Sequence, residues 1–290
     1  MKFKSQTVVI TGASLGIGRA ISEAFAREGA HLLLCARTPG PLEQAARELQ
    51  TNAAAGQKIL WQACDVSDEN QVKALAAFAL KELGGCDVLI NNAGIHGAKG
   101  PLEEVSWDEW RRTIEIDLFG VILPCRSFIP LMKKAGRGKI INLSGGGATG
   151  PRPFFSAYAA AKVAVVRVTE ILAEELRPHR IEVNAVAPGA INTRLVAEAV
   201  AAGPKKIGRK AYAEMLRITQ GGDRPPELAA GLCLFLAGPE SNGITGKLIS
   251  APWDPWSNLA AHRDELAAGD IYTLRRIVPE DRGKKWESPK

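Results

Sequence analysis

Residues 8–21, VVITGASLGIGRAI, pass from a β-branched apolar run through three glycines into a helical pattern that continues to Glu28. Thr7 to Ile10 has the makeup of a buried strand. Gly12, Gly16 and Gly18 then form a strand-to-helix junction. Glycine there permits a tight turn and lets a phosphate approach the N–H groups at the positive end of the helix. Ordinary β-α turns also use glycine, so the trio gains meaning only from what surrounds it.

Working outward, apolar runs of strand length recur at 31–36, 59–63, 88–91, 139–143 and 181–187, each separated by a helical stretch. Strands apolar on both faces and alternating with helices predict an α/β fold, a doubly wound parallel sheet with helices on both faces. No linker or internal repeat interrupts it, which predicts one domain over residues 1–250. Residues 251–290 differ in character: they hold three of the six tryptophans and read as a C-terminal extension. Within it, Asn258 to Ala268 is helix-compatible, Trp253, Trp256 and Tyr272 are expected to pack on the domain, and the last ten residues are expected to fray.

The 37 basic residues are interspersed with 31 acidic ones, for a net charge of +6, and form no basic stripe of the kind a nucleic-acid groove needs. No apolar run approaches the ~18 residues of a membrane span, and the N-terminus leads straight into a strand with no signal-like segment. The five cysteines, at 35, 64, 86, 125 and 233, are scattered, without a Cys-x-x-Cys pair or histidine cluster for metal. A cytoplasmic protein with buried thiols, no metal, no nucleic-acid partner and no membrane association is expected.

The second strand ends LLLCART, with Arg37 nineteen residues beyond Gly18 and no acid at 35 or 36. A ribose 2′-hydroxyl calls for an acidic residue at this place, whereas a 2′-phosphate calls for a basic one. NADP is therefore expected over NAD. Further on, Tyr158 and Lys162 stand four apart on a predicted helix and so share a face. An ammonium beside a phenol favours the phenolate and makes the tyrosine useful for acid-base work.

Thr11-Gly12-x-x-x-Gly16-x-Gly18, Asn91-Asn92-Ala93-Gly94, Tyr158-x-x-x-Lys162 and Pro188-Gly189-x-x-x-Thr193 follow one another at spacings that resemble the short-chain dehydrogenase/reductase family. The resemblance covers residues 5–250. It implies a single Rossmann-type domain, Tyr158 as catalytic acid/base, and Lys162 as its partner and as a ligand of the nicotinamide ribose. It also implies a cofactor held by the turn residues Ser14, Leu15 and Ile17, with Asp65 and Val66 beside the adenine. Asn92, Ala93 and Gly94 would line its middle, and Val186, Pro188, Gly189 and Thr193 its nicotinamide end.

The chain departs from that family in three places. The family's active-site serine most often lies thirteen residues before the tyrosine, where this chain has Gly145 within NLSGGGATG (142–150), while Ser144 lies fourteen before. Either Ser144 takes the serine's role, the reading preferred from sequence, or the N–H groups of Gly145 and Gly146 polarise the substrate oxygen. Asp117 replaces the asparagine that extends the family's proton relay; it should hold Lys162 as ammonium and oppose a tyrosinate. Finally, TGKLISAPWDPW keeps a seventh-strand pattern but lacks the usual Asp-Gly-Gly. The aromatic extension that follows either caps a pocket or simply packs.

Lys205, Lys206, Arg209, Lys210 and Arg217 bring five positive charges into thirteen residues. They form a solvated helix face or greet an anionic substrate. The helix from Tyr158 to Arg177 is apolar around much of its circumference, which predicts a homodimer or homotetramer. Two functions follow: an NADP(H)-dependent oxidoreductase acting on a small carbonyl compound or secondary alcohol, or a non-catalytic subunit that senses NADP(H). A phenol and ammonium beside the nicotinamide favour the enzyme.

Overall fold

A computed structural model describes residues 1–286. Seven strands, β1 (Thr7–Thr11), β2 (His31–Ala36), β3 (Ile59–Ala63), β4 (Val88–Asn91), β5 (Gly138–Leu143), β6 (Ile181–Ala187) and β7 (Leu248–Ser250), form one parallel sheet of order β3-β2-β1-β4-β5-β6-β7. The helices are α1 (Gly16–Arg27), α2 (Pro39–Thr51), α3 (Glu69–Leu83), α4 (Trp107–Ile114), α5 (Gly120–Ala135), α6 (Ser156–Leu176), α7 (Arg194–Ile207), α8 (Arg209–Arg217), α9 (Pro226–Ala237) and α10 (Arg263–Ala268). The doubly wound sheet read from the sequence is the one observed.

Strand alternation sorts the core into two layers. Val8, Ile10, Leu32, Leu34 and Ile90 face α1, α2 and α9, where they pack on Ile21, Phe25, Leu42 and Leu232. Val9, Leu33, Leu89, Ile140 and Val183 face α3, α5 and α6, against Leu75, Phe128, Met132 and Val165. The strand order reverses between β1 and β4, so the loops after their carboxyl ends diverge and leave a crevice, the place where such sheets bind ligands.

The extension packs rather than hanging free. Trp256 lies against Phe235, 5.9 Å between ring centroids, and its indole N–H donates to the Ala251 carbonyl at 3.0 Å. Leu259 and Leu266 are buried in the α1/α2/α9 layer. The helix expected over 258–268 is a 3₁₀ stretch (Trp256–His262) that becomes α-helical only at α10. Trp253 departs from expectation: it is 68% exposed. Its neighbours take the inward positions, Pro252 against Gly189 and Asp254 accepting from the Ser250 N–H at 2.6 Å. The Leu248 N–H donates to the Tyr272 carbonyl at 2.8 Å, so the chain itself covers the free edge of β7. Of the ten terminal residues expected to fray, 287–290 lie outside the described residues, while Asp281 and Arg282 complete a 3₁₀ turn that begins at Pro279.

The five cysteines are buried free thiols. No described helix is long and apolar enough to cross a membrane, and no group of three or more His, Cys, Asp or Glu among the described residues is placed to hold a metal ion.

Candidate active site

One groove runs along the carboxyl edge of the sheet across the β1/β4 reversal. Gly12, Ser14, Leu15, Gly16, Ile17 and Gly18 form its floor. Gly12 turns at φ +65°, and a Cβ at Gly18 would overlap the Gly12 carbonyl, so this turn closes only with glycine. The N-terminus of α1 carries no side-chain cap and no acidic residue in its first turn. Its free N–H groups and positive dipole end are thus left facing the groove, ready for an anion.

Arg37, exposed and without an ion pair among the described residues, stands at the end of β2 on the groove's rim. Asp65 and Val66 line the same end. Arg112 pairs with the Asp65 carboxylate, which also accepts from Ser67, and these donors hold its pKa below the usual range despite partial burial. Asn92, Ala93 and Gly94 line the middle. Asn92 is turned onto the glycine turn, donating from Nδ2 to the carbonyls of Thr11 and Gly12 at 2.9 and 3.1 Å, so it bolts β4 to the floor.

Tyr158, Lys162, Ser144, Pro188 and Thr193 line the inner end. Two cofactor residues implied by the resemblance lie off the groove. Val186 is fully buried in the core, and Gly189, at φ +88°, abuts Pro252. Lys162 Nζ donates to the Leu143 carbonyl at 3.1 Å and lies 3.9 Å from Asp117 Oδ2. Asp117 sits behind Lys162 in a π-helical turn between α4 and α5, Glu115–Phe119. Its Oδ1 accepts from the Ile95 N–H at 2.8 Å, while its buried Oδ2 has no hydrogen-bond partner among the described residues. Burial outweighs the lysine's attraction and pushes the carboxyl up to about 6. Burial likewise raises Tyr158, helped by Asp117 and opposed by Lys162 and Arg152.

Gly145, Gly146 and Gly147 of NLSGGGATG each clear space for a particular neighbour. Ser144 is still in the sheet, its N–H donating to the Val186 carbonyl at 2.8 Å. Its side chain is directed to the start of α6, where Oγ donates to the Lys162 carbonyl at 3.4 Å. Gly145 is the first residue free of the sheet, and a Cβ there would overlap the Tyr158 hydroxyl. A Cβ at Gly146 would lie 2.7 Å from Arg152 Nη1, and one at Gly147 2.8 Å from Ala159 Cβ.

Tyr158 also belongs to a buried apolar cluster. Phe155, Val196, Ala199, Met215 and Ile218 from the α6 start and α7–α8 pack with it. His96 meets the Phe155 and Tyr158 rings edge-on, with centroids 5.3 and 5.0 Å away. Its Nδ1 donates to the Leu195 carbonyl at 2.9 Å, and burial first, then the Arg152 charge, push it down to about 3, so the ring is neutral. The five-charge run of α7 and α8 is exposed and does not line the groove.

Sequence reasoning missed three participants: Arg112, His96 and Arg152. His96 left a signal, one of four histidines in the chain and two residues past Asn-Ala-Gly. Arg152, in an irregular Pro-Arg-Pro loop, left none.

Comparison with known proteins agrees with this geometry. A family model described as "short chain dehydrogenase" matches residues 6–203. The cis-4-hydroxycyclohexanecarboxylate dehydrogenase of Sinomonas cyclohexanicum is 38% identical over 255 residues, 86% of this chain and 95% of that protein. Among solved structures, levodione reductase superposes with a TM-score of 0.78 at 30% identity, covering 89% of this chain and 99% of that one. NAD⁺-bound xylitol dehydrogenase gives 0.75 at 26% identity, with 86% and 98% covered. All three are named dehydrogenase or reductase, which sets aside the non-catalytic alternative. The chain belongs to the short-chain dehydrogenase/reductase family and is an oxidoreductase that acts on an alcohol or carbonyl group with NAD(P).

Proposed function

We propose that the protein is an NADP(H)-dependent oxidoreductase that interconverts a carbonyl compound and a secondary alcohol, with Tyr158 as the acid/base. One observation carries the reading: the groove has a free arginine at its outer rim and a buried tyrosine-lysine pair at its inner end. The residues fit a dinucleotide phosphate. The glycine floor admits no side chain at Gly18, α1 offers uncapped N–H groups to a pyrophosphate, and Arg37 is free for a 2′-phosphate. Bound there, NADP(H) would supply or accept the hydride.

The chain's own work is the proton. Tyr158 Oη gives it to the forming alkoxide in reduction and takes it in oxidation, and the Lys162 charge stabilises the phenolate that results. Ser144 was the sequence's preferred donor to the substrate oxygen, but its hydroxyl is directed to the Lys162 carbonyl, 3.4 Å away. The opening beside Tyr158 Oη belongs to Gly145, which supports the backbone reading, with N–H groups of the Gly145–Gly146 turn as donors.

The Sinomonas relative, named for a hydroxycyclohexane carboxylate, supports a small secondary alcohol or ketone as substrate. An anionic substrate belongs to the same reading, because the charges that bear on His96 beside Tyr158 are the cations Arg152, Lys99 and Lys162. A cytoplasmic location is part of the proposal, supported by the buried free thiols. A homodimer or homotetramer is supported by α6, where Ala160, Val163 and Ile171 leave an exposed apolar stripe. The test is a panel of ketones and secondary alcohols assayed with NADPH/NADP⁺ and with NADH/NAD⁺, followed by nicotinamide absorbance. The proposal expects turnover with the phosphorylated pair; turnover with the unphosphorylated pair alone would contradict it.

A further inference from the structure

We infer that Arg152 is the anion-binding residue of the substrate pocket, so that the compound turned over carries a carboxylate beyond its reacting carbon. This rests on the reading of Tyr158 as the proton donor.

The guanidinium of Arg152 lies over two rings of the site, 4.7 Å from the Phe155 centroid and 5.4 Å from that of Tyr158. Phe155 is fully buried and Tyr158 is 7% exposed, so the guanidinium lies on two rings beside the inner end of the groove, which Tyr158 lines. Gly146, which has no side chain, makes room for Nη1. Such a stack fixes the plane of the guanidinium and leaves its edge donors free.

Those donors have no protein partner. Among the described residues the Arg152 guanidinium makes neither a hydrogen bond nor an ion pair, although the residue is partly buried. Several other arginines of the chain are ion-paired: Arg19 with Glu23 and Glu48, Arg112 with Asp65, Arg137 with Asp87, Arg275 with Asp281. The near charges do not neutralise Arg152 either. Lys162 is a second cation, His96 is neutral, and the one carboxylate facing the centre, Asp117, lies behind Lys162 and 3.9 Å from it. A planar fork held beside the proton donor, in a site of net positive charge, suits a carboxylate in bidentate contact.

The basic run of α7 and α8, which sequence alone made the candidate for an anion, is turned to solvent. Recognition by a single inner arginine instead of five outer ones favours a compact acid over a nucleotide-linked or CoA-linked compound.

Binding tests this without turnover. Cyclohexanecarboxylate, its amide, and cyclohexyl phosphate are titrated calorimetrically into the dinucleotide-loaded enzyme, into Arg152→Gln and into Arg152→Lys. The acid should bind the wild type roughly 10- to 100-fold more tightly than the amide, as for a charge-assisted pair. Arg152→Gln should erase that ratio and Arg152→Lys should keep part of it. Gly146→Ala, which displaces the guanidinium, should lower it too. An acid-to-amide ratio near one in the wild type, a ratio unchanged in Arg152→Gln, or preference for the phosphate would overturn the inference. A circular-dichroism spectrum and dinucleotide affinity on each variant separate a collapsed site from a lost anion contact. Loss of acid binding leaves the Tyr158 reading untouched, since that reading is judged on hydride transfer in Tyr158→Phe.

Discussion

The backbone of Gly145 lies so close to the side chain of Tyr158 that a Cβ at 145 would fall on the phenolic oxygen. The residue that the sequence counts as the family's serine position is thus held against the proposed proton donor, while Ser144 donates to the Lys162 carbonyl. Gly145→Ala should therefore displace Oη and lower kcat by roughly 100-fold or more, the scale of losing a positioned acid or an oxyanion donor. Ser144→Ala should be milder, within about tenfold. Steady-state turnover of both variants, with dinucleotide affinity measured alongside, checks the order; a larger loss in Ser144→Ala would return the role to the hydroxyl.

Asp117 gives the pH dependence. Its carboxyl is raised by burial to about 6 from an unfolded value near 3.8. A raised acid contributes stability below pH 4, and that contribution is lost as pH climbs through 6. Asp117→Asn removes the buried charge while retaining an oxygen for the Ile95 N–H. It should leave stability near wild type at pH 4 and add on the order of 2 kcal/mol at pH 8. Because the ionised carboxylate also raises Tyr158, the same variant should move the Tyr158 limb of the pH-rate profile to lower pH. Chemical denaturation at the two pH values and a profile of kcat/KM measure both effects. A variant destabilised at pH 8 would show that the Lys162 contact outweighs the desolvation.

In the proposed function Arg37 carries the cofactor preference. Arg37→Ala should weaken NADP⁺ binding roughly 10- to 100-fold and change NAD⁺ binding little, since only the 2′-phosphate meets the guanidinium. Fluorescence titration with both dinucleotides decides. Tighter NAD⁺ than NADP⁺ binding in the wild type would sink the preference.

The extension is a stability element in this account. Trp256 packs on Phe235 and Gly231 and is half-buried, so Trp256→Ala should cost about 2 kcal/mol and leave dinucleotide affinity within about twofold. Unfolding in denaturant together with a binding titration tests it. A large loss of affinity at unchanged stability would assign the extension to the pocket instead.

Much of the fold was legible because it rests on local periodicity. The runs at 31–36, 59–63 and 181–187 are strands with those same bounds. The groove was legible where glycine is compulsory, at Gly12 and Gly18, and where a motif fixes a face, at Tyr158 and Lys162. What was not legible depends on contacts distant in sequence or on side-chain direction. Trp253 was expected inside because tryptophan is costly to expose, yet its neighbours Pro252 and Asp254 hold the inward positions. Arg152 reaches Tyr158 only because a loop of no periodicity folds back over Gly146. The direction of the Ser144 hydroxyl, towards the Lys162 carbonyl, and the approach of Gly145 to the Tyr158 hydroxyl are contacts that no spacing rule records.

The account stands on Tyr158 as the group that moves the proton, and the most direct measurement is the rate of hydride transfer in Tyr158→Phe against wild type. The enzyme is loaded with NADPH, mixed with a ketone that the wild type reduces, and followed by loss of nicotinamide absorbance, with NADPH affinity determined separately. The variant lacks only the hydroxyl, so binding should stay within about twofold while transfer slows at least ~100-fold, as for a positioned proton donor. Transfer at the wild-type rate, with NADPH bound as before, would contradict the account.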